Sequence, residues 1–206
     1  MQDNPNIQKI GYTEMYEWAK NPDLLNNGRF GLFVQFNKHE PEKIEPFIGD
    51  KELYCGITTA QALETSDDPA EWIGKYKTDN YGDYYVKQEF LAVGNKEYDQ
   101  QNEFSFIRTF PYSVYKKIQS DEFDENEKYV PRTMRAEWIR VNLVGKCIVQ
   151  DNGKCEPGKF CSPYAGADAT QAGIAVPSKS KLALRFLVLK RLSDNTILIL
   201  NRPIGL

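Results

Sequence analysis

The sequence predicts a mainly β protein, an antiparallel β barrel or sandwich with one or two short helices. Three observations support this prediction. Apolar residues recur at the two-residue period of a strand between residues 139 and 149. Two apolar runs, LALRFLVLKRL and TILIL, flank the turn residues Ser193-Asp194-Asn195 and predict a hairpin. Before residue 60, short apolar segments alternate with charged or glycine-containing turns, which is typical of antiparallel strands.

The N-terminal part begins with the polar residues 1–10, which predict a flexible lead. A short helix is predicted next, because apolar residues follow at positions i, i+3, i+4 and i+7 before Asn21-Pro22 ends the pattern. These residues are Tyr12, Met15, Tyr16 and Ala19. The runs RFGLFVQF, KIEPFIG and ELYCGIT then predict successive strands of an antiparallel meander.

Residues 72–85 concentrate aromatic side chains and form a candidate carbohydrate-binding surface. The candidate binding residues are Trp72, Tyr76, Tyr81, Tyr84 and Tyr85. Tyrosines among Lys, Asp and Asn also suit half-buried strand edges or a subunit interface, and the sequence favours this second interpretation. Just before them, Asp68-Pro69-Ala70-Glu71 predicts a single helical turn that would seat the Trp72 indole.

Residues 128–161 combine a charged arm around Pro131, a strand interrupted by Gly145, and a turn. In the turn, Asp151-Asn152-Gly153 supplies residues that tolerate positive φ. The strand is therefore predicted to reverse there and to run back through Lys154 and Cys155, so that residues 147–161 form a hairpin.

The same segment carries a family resemblance. Its motifs EKYVPRTMRAEW and VNLVGKCIVQDNGKCEPGKFC are similar in order and spacing to REYIPRSERPEW and VGLLGKLxVRDDGTCQPGGYC. The latter two belong to the autoproteolytic intramolecular-chaperone domain at the C-terminus of some phage tail-spike and neck-appendage proteins. Further similarity lies in EMYEW with NNGRFGLFV, in EWIGKYKTDNYG and in LKRLSDNTILIL, so it spans most of the chain. Residues 87–127 resemble the family least and are interpreted as an insertion within a single domain of residues 11–206.

The resemblance implies a cleavage motif near the N-terminus. In the family, an acid-assisted main-chain reaction is expected at a DYAEMFEW-like motif, with the Asp and the Glu three residues later as the candidate catalytic pair. This chain has GYTEMYEW, so Glu14 matches the Glu while Gly11 occupies the position of the Asp. Loss of one group of an acid–base pair should lower the rate by orders of magnitude, and Thr13 or Glu17 would compensate only with altered geometry. The sequence therefore predicts no self-cleavage, with Glu14 as the candidate catalytic residue if cleavage occurs and as a helix-surface acid otherwise.

Composition excludes several classes of protein. A net charge of −3 and a pI near 5.4 argue against a nucleic-acid-binding protein. No apolar run approaches the roughly 20 residues of a membrane span, so no membrane insertion is expected. No secretion signal is visible, which predicts synthesis in the host cytoplasm. Four cysteines and one histidine lack zinc-site spacing, so no metal and no cofactor are expected. Cys155 and Cys161 flank a Pro-Gly turn, where a disulfide in an oxidising medium stays an open alternative.

These observations favour a non-catalytic structural component of a phage virion: a tail spike, fibre, appendage or capsid decoration. The resemblance to domains of trimeric spikes predicts a homotrimer that contacts other virion proteins. If Met1 is the true start, no upstream client would precede the first family motif, and the domain would serve as itself. Two alternatives stay open, a self-cleaving intramolecular chaperone that assists trimeric tail-spike assembly and a carbohydrate-binding host-attachment module.

Overall fold

The computed structural model describes residues 11–20, 28–62, 64–69, 71–91, 96–99, 104–107, 112–126, 128–181 and 183–204. In these ranges the chain is built from strands and single 3₁₀ turns, which confirms the predicted mainly β fold class. The strands are β1 (Tyr12–Trp18), β2 (Phe33–Phe36), β3 (Lys43–Pro46), β4 (Tyr54–Thr59), β5 (Glu64–Ser66), β6 (Val86–Leu91), β7 (Lys96–Asp99), β8 (Phe104–Ile107), β9 (Tyr112–Lys117), β10 (Trp138–Gln150), β11 (Phe160–Pro163), β12 (Ala175–Pro177), β13 (Arg185–Ser193) and β14 (Thr196–Ile204). The 3₁₀ turns are Lys51–Leu53, Ile73–Lys75, Arg132–Met134 and Ala169–Gln171.

Five strands close a ring of backbone pairings. Strand β10 pairs with β1 and β4, β4 pairs with β2, β2 pairs with β3, and β3 pairs with β1. All of these pairings are antiparallel except that of β1 with β3. One apolar cluster draws its buried side chains from four of the five strands: Trp18, Val34, Ile44, Ile139 and Val141. The ring is therefore a small closed barrel with its own apolar interior.

Strand β10 leaves the barrel and begins a second sheet. Gly145 has a φ of 107°, a conformation that favours glycine, and beyond it β10 pairs with β14 instead of β1 and β4. The sheet continues from β14 through β13 and β11 to β12, all antiparallel. Its larger core cluster includes Phe33, Cys147, Phe186, Val188 and Ile199, all of them buried.

Residues 12–18 form strand β1, so the helix predicted there is wrong. Six residues of β1 lie in antiparallel register with β10. The apolar residues of this segment have the spacing of a helix because β1 is covered on both faces. Met15 is buried on one face of the strand and Trp18 on the other. A strand buried on both sides loses its clean alternation, and its apolar residues then mimic the spacing of a helix.

The segment after β10 also differs from its prediction. Gly153 has the expected positive φ of 79°, yet β11 pairs with β12 and β13, so the predicted 147–161 hairpin is wrong. The Asp151 carboxylate accepts a hydrogen bond from the Cys155 backbone N–H at 3.1 Å, and this contact holds residues 151–155 in a loop. The predicted hairpin around residues 193–195 is confirmed as β13 and β14. The three short strands β2–β4 are antiparallel, but β4 pairs with β2 rather than with β3, so they do not form a meander.

The chain divides into two compact units, Met1–Asp68 with Val130–Leu206, and Pro69–Tyr129. The smaller unit contains two antiparallel pairs, β6 with β9 and β7 with β8. The single domain of residues 11–206 and the divergent insertion at 87–127 stay predictions. The predicted flexible lead, residues 1–10, lies outside the described residues. Ala70 of the predicted helical turn also lies outside them, and a 3₁₀ turn follows at Ile73–Lys75. Within the described ranges, the structure contains no helix that could span a membrane.

Candidate functional site

Glu14, the candidate catalytic residue, lies half-buried in the middle of β1. Side chains alternate along a strand, so Glu14 shares the face of Tyr16 and Trp18, which belong to the barrel's apolar cluster. The Tyr16 hydroxyl donates a hydrogen bond to Glu14 Oε2 at 2.7 Å. Glu14 is therefore a strand residue with a fixed partner, not the helix-surface acid that the sequence suggested.

Tyr16 and Cys55 form a small titratable cluster with Glu14. Both pack against the apolar cluster of the barrel. Burial, and then the hydrogen bond to Glu14, raises the pKa of Tyr16 above its ordinary value of 10.0. Burial also raises the pKa of the Cys55 thiol to about 12. Both groups are therefore neutral at neutral pH, and neither can act as a general base there.

Gly11 lies directly before β1 with a φ of +134°, and its open side faces Asn142. A Cβ at this position would lie 2.0 Å from Asn142 Nδ2 and 2.8 Å from the Val144 carbonyl oxygen. The Asn142 amide is itself fixed, because Nδ2 donates to Val144 O at 3.2 Å and Oδ1 accepts from Asn201 Nδ2 at 2.9 Å. Asn201 Oδ1 in turn accepts a hydrogen bond from the Tyr54 hydroxyl at 2.8 Å. The space that a side chain at position 11 would need is therefore filled by a buried polar network.

The two residues considered as substitutes for the missing Asp do not share the face of Glu14. Thr13 is buried on the opposite face of β1, where its hydroxyl donates to Thr65 Oγ1 at 3.0 Å. Glu17 alternates to the same opposite face and forms an ion pair with Lys43 at 3.2 Å. Neither carboxylate nor hydroxyl therefore joins Glu14 as a second catalytic group.

The candidate carbohydrate-binding residues lie in the smaller unit and do not form one platform. Tyr76 and Tyr84 contact each other edge to face, with ring centroids 6.0 Å apart, and Lys117 Nζ lies 3.5 Å from the Tyr84 centroid. Trp72 packs instead against Tyr129, at 5.3 Å. Tyr81 is 95% exposed, and Tyr85 is also exposed. Carbohydrate binding stays a prediction, with Tyr81, Tyr84 and Tyr85 as the exposed candidates.

The four cysteines, Cys55, Cys147, Cys155 and Cys161, are all free thiols. Cys155 and Cys161 lie together in the larger core cluster, and the hydrogen-bonded Cys155 thiol and burial raise the pKa of Cys161. Burial raises the pKa of Cys147 to about 12. Across the described ranges, no group of three or more His, Cys, Asp or Glu residues could hold a metal ion.

We expect the thiols of the folded protein to react slowly with Ellman's reagent. At pH 8, a thiol with a pKa of about 12, such as that of Cys55, holds about a thousandfold less thiolate than an ordinary thiol near 9. All four should react at once in urea. Ionisation of the Cys55 thiol should also destabilise the fold, because its pKa is higher in the folded than in the unfolded chain. The stability that the neutral buried thiol contributes is therefore complete below about pH 9 and is lost as the pH rises towards 12. Rapid reaction of a thiol in the folded protein would contradict this expectation.

Most of the chain matches one protein family. The family described as Peptidase_G2, IMC autoproteolytic cleavage domain, matches residues 7–179. The chain belongs to this family. The resemblance predicted from the sequence is thereby confirmed, and Glu14, Gly11 and the whole of the barrel fall inside the matched range.

Two solved structures share the fold of this IMC domain. The pre-mature gene product 12 of bacteriophage phi29 is 17% identical, with a TM-score of 0.62 over 93% of this chain and 21% of that protein. The C-terminal fragment of the same phi29 protein is 18% identical, with a TM-score of 0.58 over 93% of this chain and 99% of the fragment. The chain thus spans about a fifth of the pre-mature protein and nearly all of the fragment. No curated protein matches the chain.

Proposed function

We propose that this IMC-type domain serves as a non-catalytic structural component of a phage virion. The observation that carries the proposal is the environment of Gly11. The position of the expected Asp holds a glycine whose side-chain space is filled by Asn142. The remaining acid, Glu14, already accepts a hydrogen bond from Tyr16, and acid–base cleavage needs a second group to act with it.

Intact-mass spectrometry tests this proposal directly. After prolonged incubation of the purified chain, we expect the full-length species alone. The self-cleaving chaperone, which the family description favours, requires a defined break near the start of β1. A break between Lys9 and Tyr12 that Glu14→Gln abolishes and Glu17→Gln leaves intact would restore the autoprotease. Glu17 is a suitable control because it lies on the opposite face of the same strand.

The exposed apolar face of the smaller unit supports homotrimeric assembly as part of this function. Opposite residues of an antiparallel pair share a face, so Val86, Phe90 and Tyr115 all lie on one face of the β6–β9 ribbon, together with three polar residues. Their side chains are 52%, 76% and 69% exposed. An isolated two-stranded ribbon is only marginally stable in water, and clustered exposed apolar side chains are typical of an interface.

We therefore expect the double variant Phe90→Ser, Tyr115→Ser to dissociate into monomers. Each lost apolar contact should weaken association by about tenfold or more. Light scattering across a dilution series measures the effect. The matched control is Lys87→Ser, Lys116→Ser on the opposite face of the same ribbon. A parent chain that is monomeric at every concentration would contradict the trimer.

A further inference from the structure

A groove in the larger unit is lined by several positively charged side chains. It has a volume of about 490 Å³ and is lined by residues of the loop after β10, the ends of β11 and β12, and the start of β13. Its charged residues are five cations and one acid: Lys154, Lys159, Lys179, Lys181, Arg185 and Glu156. The chain as a whole carries a net charge of −3, so this concentration of cations is a local feature.

Few of these cations are neutralised by the described residues. Lys159 pairs with Glu156 at 2.6 Å. The other three lysines of the groove and Arg185 make no ion pair with any described residue. Arg185 stacks over the Phe160 ring at 4.9 Å, and its buried Nε has no hydrogen-bond acceptor in the described part of the chain. Like charges around one concave surface repel each other unless an anion lies between them, so the groove is suited to an anionic ligand.

The side chains that line the groove indicate which kind of anionic ligand it could bind. The one aromatic ring that lines the groove, Phe160, has the Arg185 guanidinium over one face, where a sugar would otherwise stack. The lysines come from two loops, Lys154 from the loop after β10 and Lys179 and Lys181 from the loop after β12. Such a groove fits an extended segment that carries several carboxylates.

A segment of this composition occurs in the same sequence. Residues 121–127, DEFDENE, contain five acids in seven residues. In the described part, the acidic side chains of residues 121–125 are exposed. Asp121 is bonded to Lys77 at 2.7 Å, whereas Glu122, Asp124 and Glu125 have no cation partner among the described residues. The acidic segment thus carries uncompensated charge of the sign opposite to that of the groove.

We propose that the groove binds the acidic segment 121–127 of a second copy of the chain. The proposal deepens the trimeric assembly proposed above and rests on it. Every copy presents both the groove and the acidic segment, so the contact is heterologous, and three head-to-tail contacts can close a ring. The charge contact would fix the register of the subunits, while the apolar face of the β6–β9 ribbon supplies burial.

A peptide titration tests the groove independently of assembly. A fluorescent peptide with the sequence of residues 119–128, QSDEFDENEK, should bind the parent chain, and its amide counterpart QSNQFNQNQK should not. The variant Lys154→Glu, Lys179→Glu, Lys181→Glu should bind the acidic peptide about tenfold more weakly or worse. The control Lys51→Glu, Lys146→Glu, Lys190→Glu changes the total charge equally outside the groove and should leave binding unchanged. Absence of peptide binding, or binding of inorganic polyphosphate in its place, would overturn the assignment.

Mixing charge-reversed chains tests the contact between copies. The groove variant and the variant Glu122→Lys, Asp124→Lys, Glu125→Lys should each lose the trimer at low salt when alone, and a mixture of the two should recover assembly. A trimer that persists unchanged in both variants would overturn this inference and leave the trimer itself standing. Peptide binding to a chain that stays monomeric would support the groove while removing the proposed trimer.

Discussion

Replacing Asp151 with Ala is expected to lower the free energy of unfolding by about 3 kcal/mol, the lower end of the range for breaking a buried ion pair. The Asp151 side chain is fully buried, whereas its partner Arg191 is 29% exposed. Because water partly screens the arginine, we expect a loss at the lower end of that range. The carboxylate accepts hydrogen bonds from Arg191 Nη1 at 3.2 Å and Nη2 at 2.8 Å. Its removal leaves the Cys155 backbone N–H without its acceptor and takes the counter-ion from this guanidinium.

The effect should be large because the Asp151–Arg191 pair joins three parts of the second sheet. Arg191 Nη1 also donates to the carbonyls of Ser193 and Asp194, each at 3.0 Å, and Nη2 donates to the carbonyl of Cys155. The pair therefore ties the end of β10 and the loop after it to the turn between β13 and β14. Loss of the carboxylate should loosen all three segments together.

Urea unfolding followed by tryptophan fluorescence measures this effect. The matched control is Asp194→Ala, since Asp194 is exposed and contributes its backbone carbonyl, which the substitution keeps. That variant should stay within about 0.5 kcal/mol of the parent chain. Equal stability of Asp151→Ala and Asp194→Ala would show that the buried pair does not hold the loop.

The strands with strong local patterns could be predicted from the sequence. Strand β10 follows the two-residue period on both sides of Gly145, and the β13–β14 hairpin has a short polar turn between apolar runs. Strand β1 could not be predicted in this way, because burial on both faces erased its alternation. The loop after Asp151 could not be predicted either, because its conformation depends on an ion pair with Arg191, which lies forty residues later in the sequence.

The candidate site was predictable only in part. The family motif leads to Glu14, and a strand interpretation of residues 12–18 would have added Tyr16, which is two residues away on the same face. Cys55 and Asn142 reach the site from β4 and β10, so their proximity follows from the pairing order of the barrel. The filled space beside Gly11 is likewise a consequence of tertiary packing, although its glycine is visible in the sequence.

Placing the expected aspartate at position 11 by Gly11→Asp should destabilise the protein by about 3 kcal/mol or more rather than activate it. A non-glycine residue at a φ of +134° adopts a strained backbone, which alone costs about 1–3 kcal/mol. The new Cβ would also meet Asn142 Nδ2 and the Val144 carbonyl oxygen. Urea unfolding measures the loss, and intact-mass spectrometry of the same sample detects any cleavage.

The double variant Gly11→Asp, Asn142→Ala separates crowding from backbone strain. Asn142→Ala alone should destabilise the chain, because the buried Asn201 Nδ2 loses one of its two acceptors, Asn142 Oδ1 at 2.9 Å, and keeps only the Asn142 backbone carbonyl at 2.7 Å. If a side chain at position 11 and Asn142 compete for one space, the double variant should lose less free energy of unfolding than the two single variants together, by about 1–2 kcal/mol. Strict additivity would mean that the left-handed backbone, not Asn142, excludes the side chain. Cleavage by a stably folded Gly11→Asp chain would contradict the packing argument and would show that the missing carboxylate alone keeps the parent intact.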